Sequence, residues 1–301
     1  MCIGRKAANR IAGSGLWSLG FAAIMILTGC ATPTRPQAAR DLHRRESRTH
    51  ETAPQSMSQT HAAKEFKALE DAVKSSPDDA GAHYRLGNAL FDQKRFEEAC
   101  VHYDEAARLD PQHMAALCNK GLCLRNLGKR DEALAAYRAA LDIQPNDEVT
   151  LQNMVVLLLD GDPGELLEPL QRLAAMKPED VDVNAELAKV LYRTERYKEG
   201  IAAFKRLIDL DPGFADDYYN LGLCYFNLEQ YDNALTTWLT ALAYDRKNPS
   251  VRKGLAVAYW KRKDYDRAWQ AVRECQRLGI SLDPEFLQSL QRDSRRAGPS
   301  S

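Results

Sequence analysis

The chain has 301 residues, and 28% of them are charged: 41 basic and 42 acidic side chains leave a formal net charge of −1. A chain this close to neutral lacks the strongly basic face that phosphate contacts require, so we expect no nucleic-acid partner. Seven cysteines occur without any Cys-x-x-Cys spacing, which argues against a zinc site or a thioredoxin-like redox site.

The first predicted element is an apolar segment over residues 11–29, preceded by the basic residues Arg5, Lys6 and Arg10. Four glycines and several hydroxyl residues interrupt the segment. A spanning helix needs about 20 predominantly apolar residues, whereas an export signal needs only about 7–15. We therefore interpret residues 1–29 as a signal peptide.

The tetrapeptide LTGC, residues 27–30, ends this leader and resembles the lipobox of bacterial lipoproteins. The resemblance implies that the Cys30 thiol receives diacylglycerol and that cleavage leaves Cys30 at the N-terminus. Several acyl chains would then anchor the protein stably in a membrane. Ala31, rather than an aspartate, follows the cysteine, which implies the outer membrane under enterobacterium-like sorting. An ordinary signal peptide, or an uncleaved anchor that happens to contain a cysteine, is the alternative.

Residues 30–60 are predicted to be a flexible tether. The segment 31–62 has no helical apolar period, is rich in Ser, Thr, Gln, Pro and Arg, and carries five arginines against three acids. The arginines could touch anionic lipid headgroups, but a solvated linker is the favoured interpretation.

An internal repeat organises the rest of the chain. Its period is set by five prolines at nearly equal intervals: Pro77, Pro111, Pro145, Pro178 and Pro212. Small residues share one position of this frame, as at Gly87, Gly121 and Gly222. A large side chain, usually aromatic, follows sixteen residues later in most copies. Small residues allow paired helices to cross closely while the aromatic ring fills the space between them.

The segment YYNLGLCY, residues 218–225, followed by Ala234 and Trp238, resembles the tetratricopeptide repeat (TPR). The resemblance implies an all-α fold, a right-handed α-solenoid of about six helix pairs over residues 61–282. The six repeats are 80–113, 114–147, 148–180, 181–214, 215–248 and 249–282, preceded by a half repeat over 62–76. A C-terminal cap and a disordered tail are expected over residues 283–301.

Two local features refine this prediction. Since proline suits the first position of a helix, we expect each of these prolines to open the helix that follows it, with the Asp of LDP as a cap. Pro163 and Pro169 stand where the second helix of repeat three should begin, so its geometry is expected to deviate.

No converging titratable groups suggest an active site, so we expect no enzyme, no metal site, no cofactor and no small-molecule substrate. The six histidines show no metal-ligand spacing, and His83 is interpreted as a packing residue. Five cysteines follow Cys30, and their spacing leaves disulfide pairing open.

The TPR resemblance also implies a concave groove lined by the first helix of each pair, at positions five, nine and twelve. The predicted partner-binding residues at these positions are Tyr84, Asn88, Phe91, Arg125, Lys189, Tyr192, Tyr219, Phe226, Lys253 and Trp260. Rigid aromatic rings are good anchors for a peptide, but some of them could simply pack against a neighbouring helix. TPR domains that clamp a C-terminal carboxylate use Lys at position five with Asn at position nine, and only Asn88 matches.

These observations predict a lipid-anchored, periplasm-facing scaffold that binds protein or peptide partners and helps to assemble an envelope complex. Pilot proteins of type IV pilus secretins and adaptors of peptidoglycan hydrolases have this layout. The alternatives are a TPR accessory subunit of an enzyme complex, and a TPR protein with an uncleaved N-terminal membrane anchor.

Overall fold

The computed structural model describes residues 55–295, with side chains from residue 63, and its regular elements are fourteen α-helices and one 3-10 turn. The predicted signal peptide, Cys30, most of the predicted tether and the end of the tail lie outside the described residues. Within residues 55–295 the all-α solenoid architecture expected from the sequence is confirmed. The chain divides into two compact units, joined at residues 212–213.

The first unit contains nine helices in its described part. They are α1 (Gln55–Ser75), α2 (Ala80–Asp92), α3 (Phe96–Leu109), α4 (Met114–Asn126), α5 (Arg130–Ile143), α6 (Glu148–Leu158), α7 (Leu167–Met176), α8 (Val181–Arg193) and α9 (Tyr197–Leu210). Helix α1 includes the predicted half repeat and begins at residue 55, upstream of the expected solenoid start. Helices α2 to α9 form the four pairs of repeats one to four.

The second unit contains five helices between residues 213 and 295, the part of it that the structure describes. They are α10 (Ala215–Asn227), α11 (Tyr231–Tyr244), α12 (Pro249–Lys261), α13 (Tyr265–Arg277) and α14 (Pro284–Ser294). The first four form repeats five and six. Helix α14 occupies the segment predicted as a C-terminal cap, and it buries Phe286 and Leu290.

The turn inside five of the helix pairs has one recurring geometry. Its middle residue has a positive φ, at Lys94, Gly128, Glu195, Glu229 and Lys263. In each turn the next backbone N–H donates to the carbonyl five residues earlier, as from Lys129 to Leu124 at 2.9 Å. This left-handed residue ends a helix efficiently, and only Gly128 adopts it without the steric cost of a side chain.

The prolines between repeats do not start the following helices, contrary to the expectation above. Each helix begins three residues after its proline, as α4 does after Pro111. Asp110 and His113 are joined by a backbone hydrogen bond of 3.0 Å, so Pro111 holds the second position of a β-turn, where its fixed φ fits equally well. In four of these five helices the side chain of the residue directly before the helix supplies the cap instead, as Asp147 does for Thr150 at 2.8 Å.

Repeat three deviates where the sequence predicts it. Its second helix is preceded by a 3-10 turn, Pro163–Leu166, and α7 has only 10 residues. Pro169 is tolerated because it lies in the first turn of α7, where no intrahelical partner for its N–H is required.

Small residues and aromatic rings meet across the helix pairs, which explains the sixteen-residue offset. A Cβ added to Gly87 would lie 2.8 Å from the Tyr103 ring, and one added to Gly121 would lie 2.5 Å from Tyr137. Both rings are almost fully buried. The glycines are therefore required by close approach of the aromatic ring rather than by backbone conformation.

Candidate partner-binding surface

The first helices of neighbouring repeats lie side by side in the first unit. The Asn119 side chain on α4 donates a hydrogen bond of 2.9 Å to Asn88 Oδ1 on α2, and lies 3.4 Å from the Tyr84 hydroxyl. Asn153 Nδ2 on α6 is 3.9 Å from Cys118 Sγ on α4. We call the side of the first helices that carries positions five, nine and twelve the inner face.

The inner face of repeats one and two carries an ordered polar network. Asn88 Oδ1 accepts hydrogen bonds from the Tyr103 hydroxyl, at 2.7 Å, and from Asn119. The Tyr84 ring packs against His113, with 4.7 Å between centroids. Burial raises the pKa of Tyr103, so its hydroxyl stays protonated as a donor. Asn88 and Tyr84 are half-buried, and the network holds them in place while part of each side chain faces solvent.

The aromatic ladder at position twelve, formed by Phe91, Tyr192, Phe226 and Trp260, has a structural role inside three of the repeats. Its rings contact an aromatic residue five positions later, at the start of the second helix, in the pairs Phe91–Phe96, Tyr192–Tyr197 and Phe226–Tyr231, with centroids 5.2, 5.7 and 5.3 Å apart. These contacts close the turn between the two helices. The ladder is therefore explained in part by packing, the alternative that the sequence leaves open.

The charged residues of the predicted set are partly accessible. Arg125 is half-buried on α4, and Lys253 is half-buried on α12. Lys189 on α8 pairs with Glu186 at 2.8 Å, with about a fifth of its side chain exposed. The structure thus leaves charged atoms on the inner face of both units, although the Lys189 charge is already partnered.

Three predicted anchors in the second unit are buried, contrary to the expectation that their rings face an open groove. Tyr219 stacks on Trp238, and Phe226 contacts the same indole ring. The Trp260 ring packs edge-on against Phe286 of α14, and its Nε1 donates to Asp293 Oδ2 at 2.9 Å. Helix α14 therefore covers position twelve of repeat six, and the Trp260 side chain is only 8% exposed.

Asn119 and Asp293 contact predicted partner-binding residues, but the sequence analysis did not predict either of them. Asn119 lies at position six, which was not among the positions considered, although it follows Asn88 by almost one full repeat and so belongs to the adjacent first helix. Asp293 lies beyond the last repeat, so the repeat period gives no information about it. Only the docking of α14 reveals its contact with Trp260.

Comparison with protein-family models gives matches in two stretches of the described residues, 80–147 and 167–262. Tetratricopeptide repeat models match residues 80–113, 115–147, 167–215 and 203–236, and a TPR repeat model matches residues 224–262. Together the matched segments cover more than half of the chain. The chain is a tetratricopeptide repeat protein. TPR folds are typically non-catalytic scaffolds that bind protein or peptide partners.

Curated relatives share the repeats at low identity. Protein O-mannosyl-transferase TMTC3 of Mus musculus is 24% identical over 201 residues, which are 66% of this chain and 20% of the relative. Stress-induced-phosphoprotein 1 of Caenorhabditis elegans is 26% identical over 215 residues, 70% of this chain and 64% of the relative. This TPR protein spans about a fifth of the length of the first relatives that it matches.

A solved structure of Naa15/Naa10 bound to HypK-THB has a TM-score of 0.66 at 16% identity, and the match covers 86% of this chain and 39% of that chain. An identity this low supports the fold alone.

Between residues 55 and 295 no helix of this TPR protein combines the length and the apolar character that crossing a bilayer requires.

Two histidines of this TPR protein meet in repeat one. His83 Nε2 donates to the Pro77 carbonyl at 3.0 Å, so His83 Nδ1 accepts from His102 Nδ1, also at 3.0 Å. Burial and the neighbouring His83 lower the pKa of His102, although Glu98 opposes this effect. Among the described residues, no group of three or more His, Cys, Asp or Glu side chains is arranged to hold a metal ion.

The five cysteines of the TPR region are free thiols. All are buried: Cys100, Cys118, Cys123, Cys224 and Cys275. Burial raises the pKa of each thiol, to about 12 for Cys123 and Cys224. The reactive thiolate is therefore scarce at neutral pH, and these side chains act as small apolar packing groups.

Proposed function

We propose that this protein is a lipid-anchored scaffold of the bacterial envelope that holds a protein segment along the inner face of its first unit. The observation that carries the proposal is the network of Tyr84, Asn88 and Asn119, which holds partly accessible polar groups on adjacent first helices. The leader and Cys30 support the location at a membrane facing the periplasm, with the outer membrane favoured.

The chemistry of this surface favours a polypeptide ligand. Both lone pairs of Asn88 Oδ1 are used within the protein, so its two Nδ2 hydrogens are the groups that remain for a ligand carbonyl. The Tyr84 ring supplies an amphipathic contact surface beside them. Because these groups are already ordered before binding, less conformational entropy is lost when a partner arrives.

The partner is proposed to be an extended or helical segment with apolar side chains and some acidic character. Apolar side chains would pack on the Tyr84 and Phe91 rings, and carboxylates would approach Arg125 on the next helix. This arrangement suits a scaffold that assists the assembly of an envelope complex. The accessory subunit of an enzyme complex remains the alternative function, because it would use the same inner face.

Removing the network should strongly weaken capture of the partner. The double variant Tyr84→Ala, Asn88→Ala is expected to bind its partner at least roughly thirtyfold more weakly, since loss of an interface hot spot costs about 2 kcal/mol or more. Photocrosslinking in intact cells, with a photoreactive residue at position 125, identifies the partner and measures its capture.

The matched control places the photoreactive residue at position 101, because Val101 is 65% exposed on the second helix of repeat one. Circular dichroism must show that both labelled proteins and the double variant are folded at the assay temperature; a lower melting temperature is expected for the double variant, because the Tyr103 hydroxyl loses its acceptor. Crosslinks to the same partner from position 101 but not from position 125 would contradict binding at the inner face.

Lipidation is tested separately through Cys30. We expect labelled palmitate to enter the wild-type protein and the Cys2→Ala variant but not Cys30→Ala, because only the lipobox cysteine accepts diacylglycerol. Metabolic labelling followed by immunoprecipitation measures this. Equal labelling of wild type and Cys30→Ala would end the lipoprotein proposal. Alkali-resistant membrane association at the full precursor mass would instead favour an uncleaved anchor.

A further inference from the structure

The second unit carries a groove on the opposite side of its helix pairs from the inner face. This outer groove lies between α11 and α13 and has a cavity of about 530 Å³. Its apolar lining comes from Leu239 and Leu242 on α11 and from Leu255 and Tyr259 on α12. Leu239 is 51% exposed, so about half of a large apolar side chain faces solvent here.

Four arginines surround this apolar lining: Arg252, Arg267, Arg273 and Arg277. A single lining carboxylate, Glu274, is shared by Arg252 at 3.3 Å and Arg277 at 2.7 Å. The hydrogen bond from Arg277 lowers the pKa of Glu274, so the carboxylate is charged. Within the described residues no carboxylate pairs with Arg273, which is exposed. Arg267 pairs with Asp264 at 3.5 Å. The four arginines therefore meet two carboxylates, and the outer groove keeps an excess of positive charge.

A corresponding groove in the first unit shows that the fold does not require this excess. It lies between α5 and α7, with a similar cavity of about 550 Å³. Arg138 occupies the place that Leu239 has in the outer groove, three repeats earlier in the same frame. This first-unit groove has three acids, Asp142, Glu165 and Glu168, against two arginines. Because Arg130 also pairs with Glu165 at 2.9 Å, this groove is close to neutral, so the two grooves share their size and differ in their net charge.

We propose that the outer groove binds an acidic segment of a partner protein. An apolar side chain of that segment packs on Leu239 and Leu255, while a carboxylate beside it pairs with Arg273. Arginine is well suited to this role because its planar guanidinium binds a carboxylate through two parallel hydrogen bonds. This surface is separate from the inner face, so the protein could hold two partner segments at once.

Charge and shape together favour this occupant over two others. The N-terminal segment 31–62 carries five arginines against three acids, so it would be repelled from the outer groove. A membrane surface meets flat or convex patches, whereas these arginines surround a recess deep enough for side chains. A short acidic polypeptide satisfies both the recess and the charge.

The test measures binding of a fluorescent peptide of repeating Glu-Glu-Leu units to the full chain in detergent, by anisotropy. Leu239→Asp and Arg273→Glu are each expected to weaken binding by about tenfold or more, and binding should weaken further as salt is raised. Both positions are exposed, so the melting temperature should stay unchanged. The matched control, Arg138→Glu, reverses a charge in the first-unit groove and should change the affinity by less than about twofold.

Three outcomes would overturn the proposal. One is equal binding of a peptide in which Gln replaces Glu, which would remove the charge requirement. Another is an equal loss of affinity in Arg138→Glu and Arg273→Glu, which would mean that the peptide responds to total charge. The last is displacement of the peptide by monomeric short-chain phosphatidylglycerol at lower concentration, which would assign the outer groove to lipid headgroups. None of these results depends on the inner face, so the proposed scaffold function stands or fails independently.

Discussion

Replacing Gly222 with tryptophan is expected to lower the free energy of unfolding of the second unit by about 3 kcal/mol, the upper end of the usual range for overpacking. A Cβ atom at this position would overlap the indole ring of Trp238. That ring is fully buried, and its Nε1 donates to the Tyr219 carbonyl at 2.9 Å, so it has no free direction in which to move. Thermal and urea unfolding followed by circular dichroism measure the change.

A milder pair of substitutions tests the same contact more specifically. Repeat four has Ala188 where repeat five has Gly222, and sixteen residues later it has Phe204 where repeat five has Trp238. Gly222→Ala alone should destabilise by about 1–3 kcal/mol, and adding Trp238→Phe should restore part of this loss. Strictly additive effects of the two substitutions would show that the two side chains do not compete for the same space.

Truncating the Phe286 side chain is expected to destabilise the second unit by about 3–5 kcal/mol. Phe286 is 1% exposed and packs edge-on against Trp260 at a centroid distance of 5.7 Å, so Phe286→Ala leaves a cavity between α14 and α12. The Trp260 indole should also become more exposed to solvent. Urea unfolding measures the loss of stability, and a red shift of tryptophan emission reports the exposure.

Gln288→Ala is the matched control, because this exposed residue lies on the same helix. It should change neither stability nor emission by a measurable amount. If Phe286→Ala unfolds at the same urea concentration as the wild type, α14 is not docked on Trp260. The predicted anchor would then be open to a partner after all.

The helix pairs could be predicted because the main packing contacts of each pair lie between residues of the same repeat. Gly121 and Tyr137 are sixteen residues apart, and their contact lies within one pair, so a local pattern is enough to reveal it. The turns follow the same logic, since Gly128 and its equivalents must end one helix and start the next in three residues. Because these local signals recur in most of the repeats, the fold can be predicted without knowledge of distant contacts.

The proline positions show where local reasoning was insufficient. A proline fits the first turn of a helix and the second position of a β-turn equally well, because both need the backbone φ that the proline ring enforces. The choice between them depends on where the cap lies, and at Pro145 the cap is Asp147 rather than the residue before the proline. The sequence contained both possibilities.

For the candidate surface too, the sequence predicts one property, the helix face that carries a residue, and not another, its exposure. Periodicity alone places Tyr84, Asn88 and Trp260 on one face of the first helices, because that assignment needs only the register of a repeat. Whether such a face stays open depends on elements outside the repeat. Trp260 is covered since α14 docks on it, and Tyr84 remains partly accessible beside Asn119.

Thus the repeat period is sufficient to establish the family, the helix pairs and the small residues that the buried aromatic rings require. Exposure, and the arginine excess of the outer groove, were decided only in three dimensions. Arg252 and Arg273 are on different helices, and their charges act together only when α12 and α13 are packed. Long-range neighbours of this kind have no fixed spacing along the chain, so no local pattern encodes them.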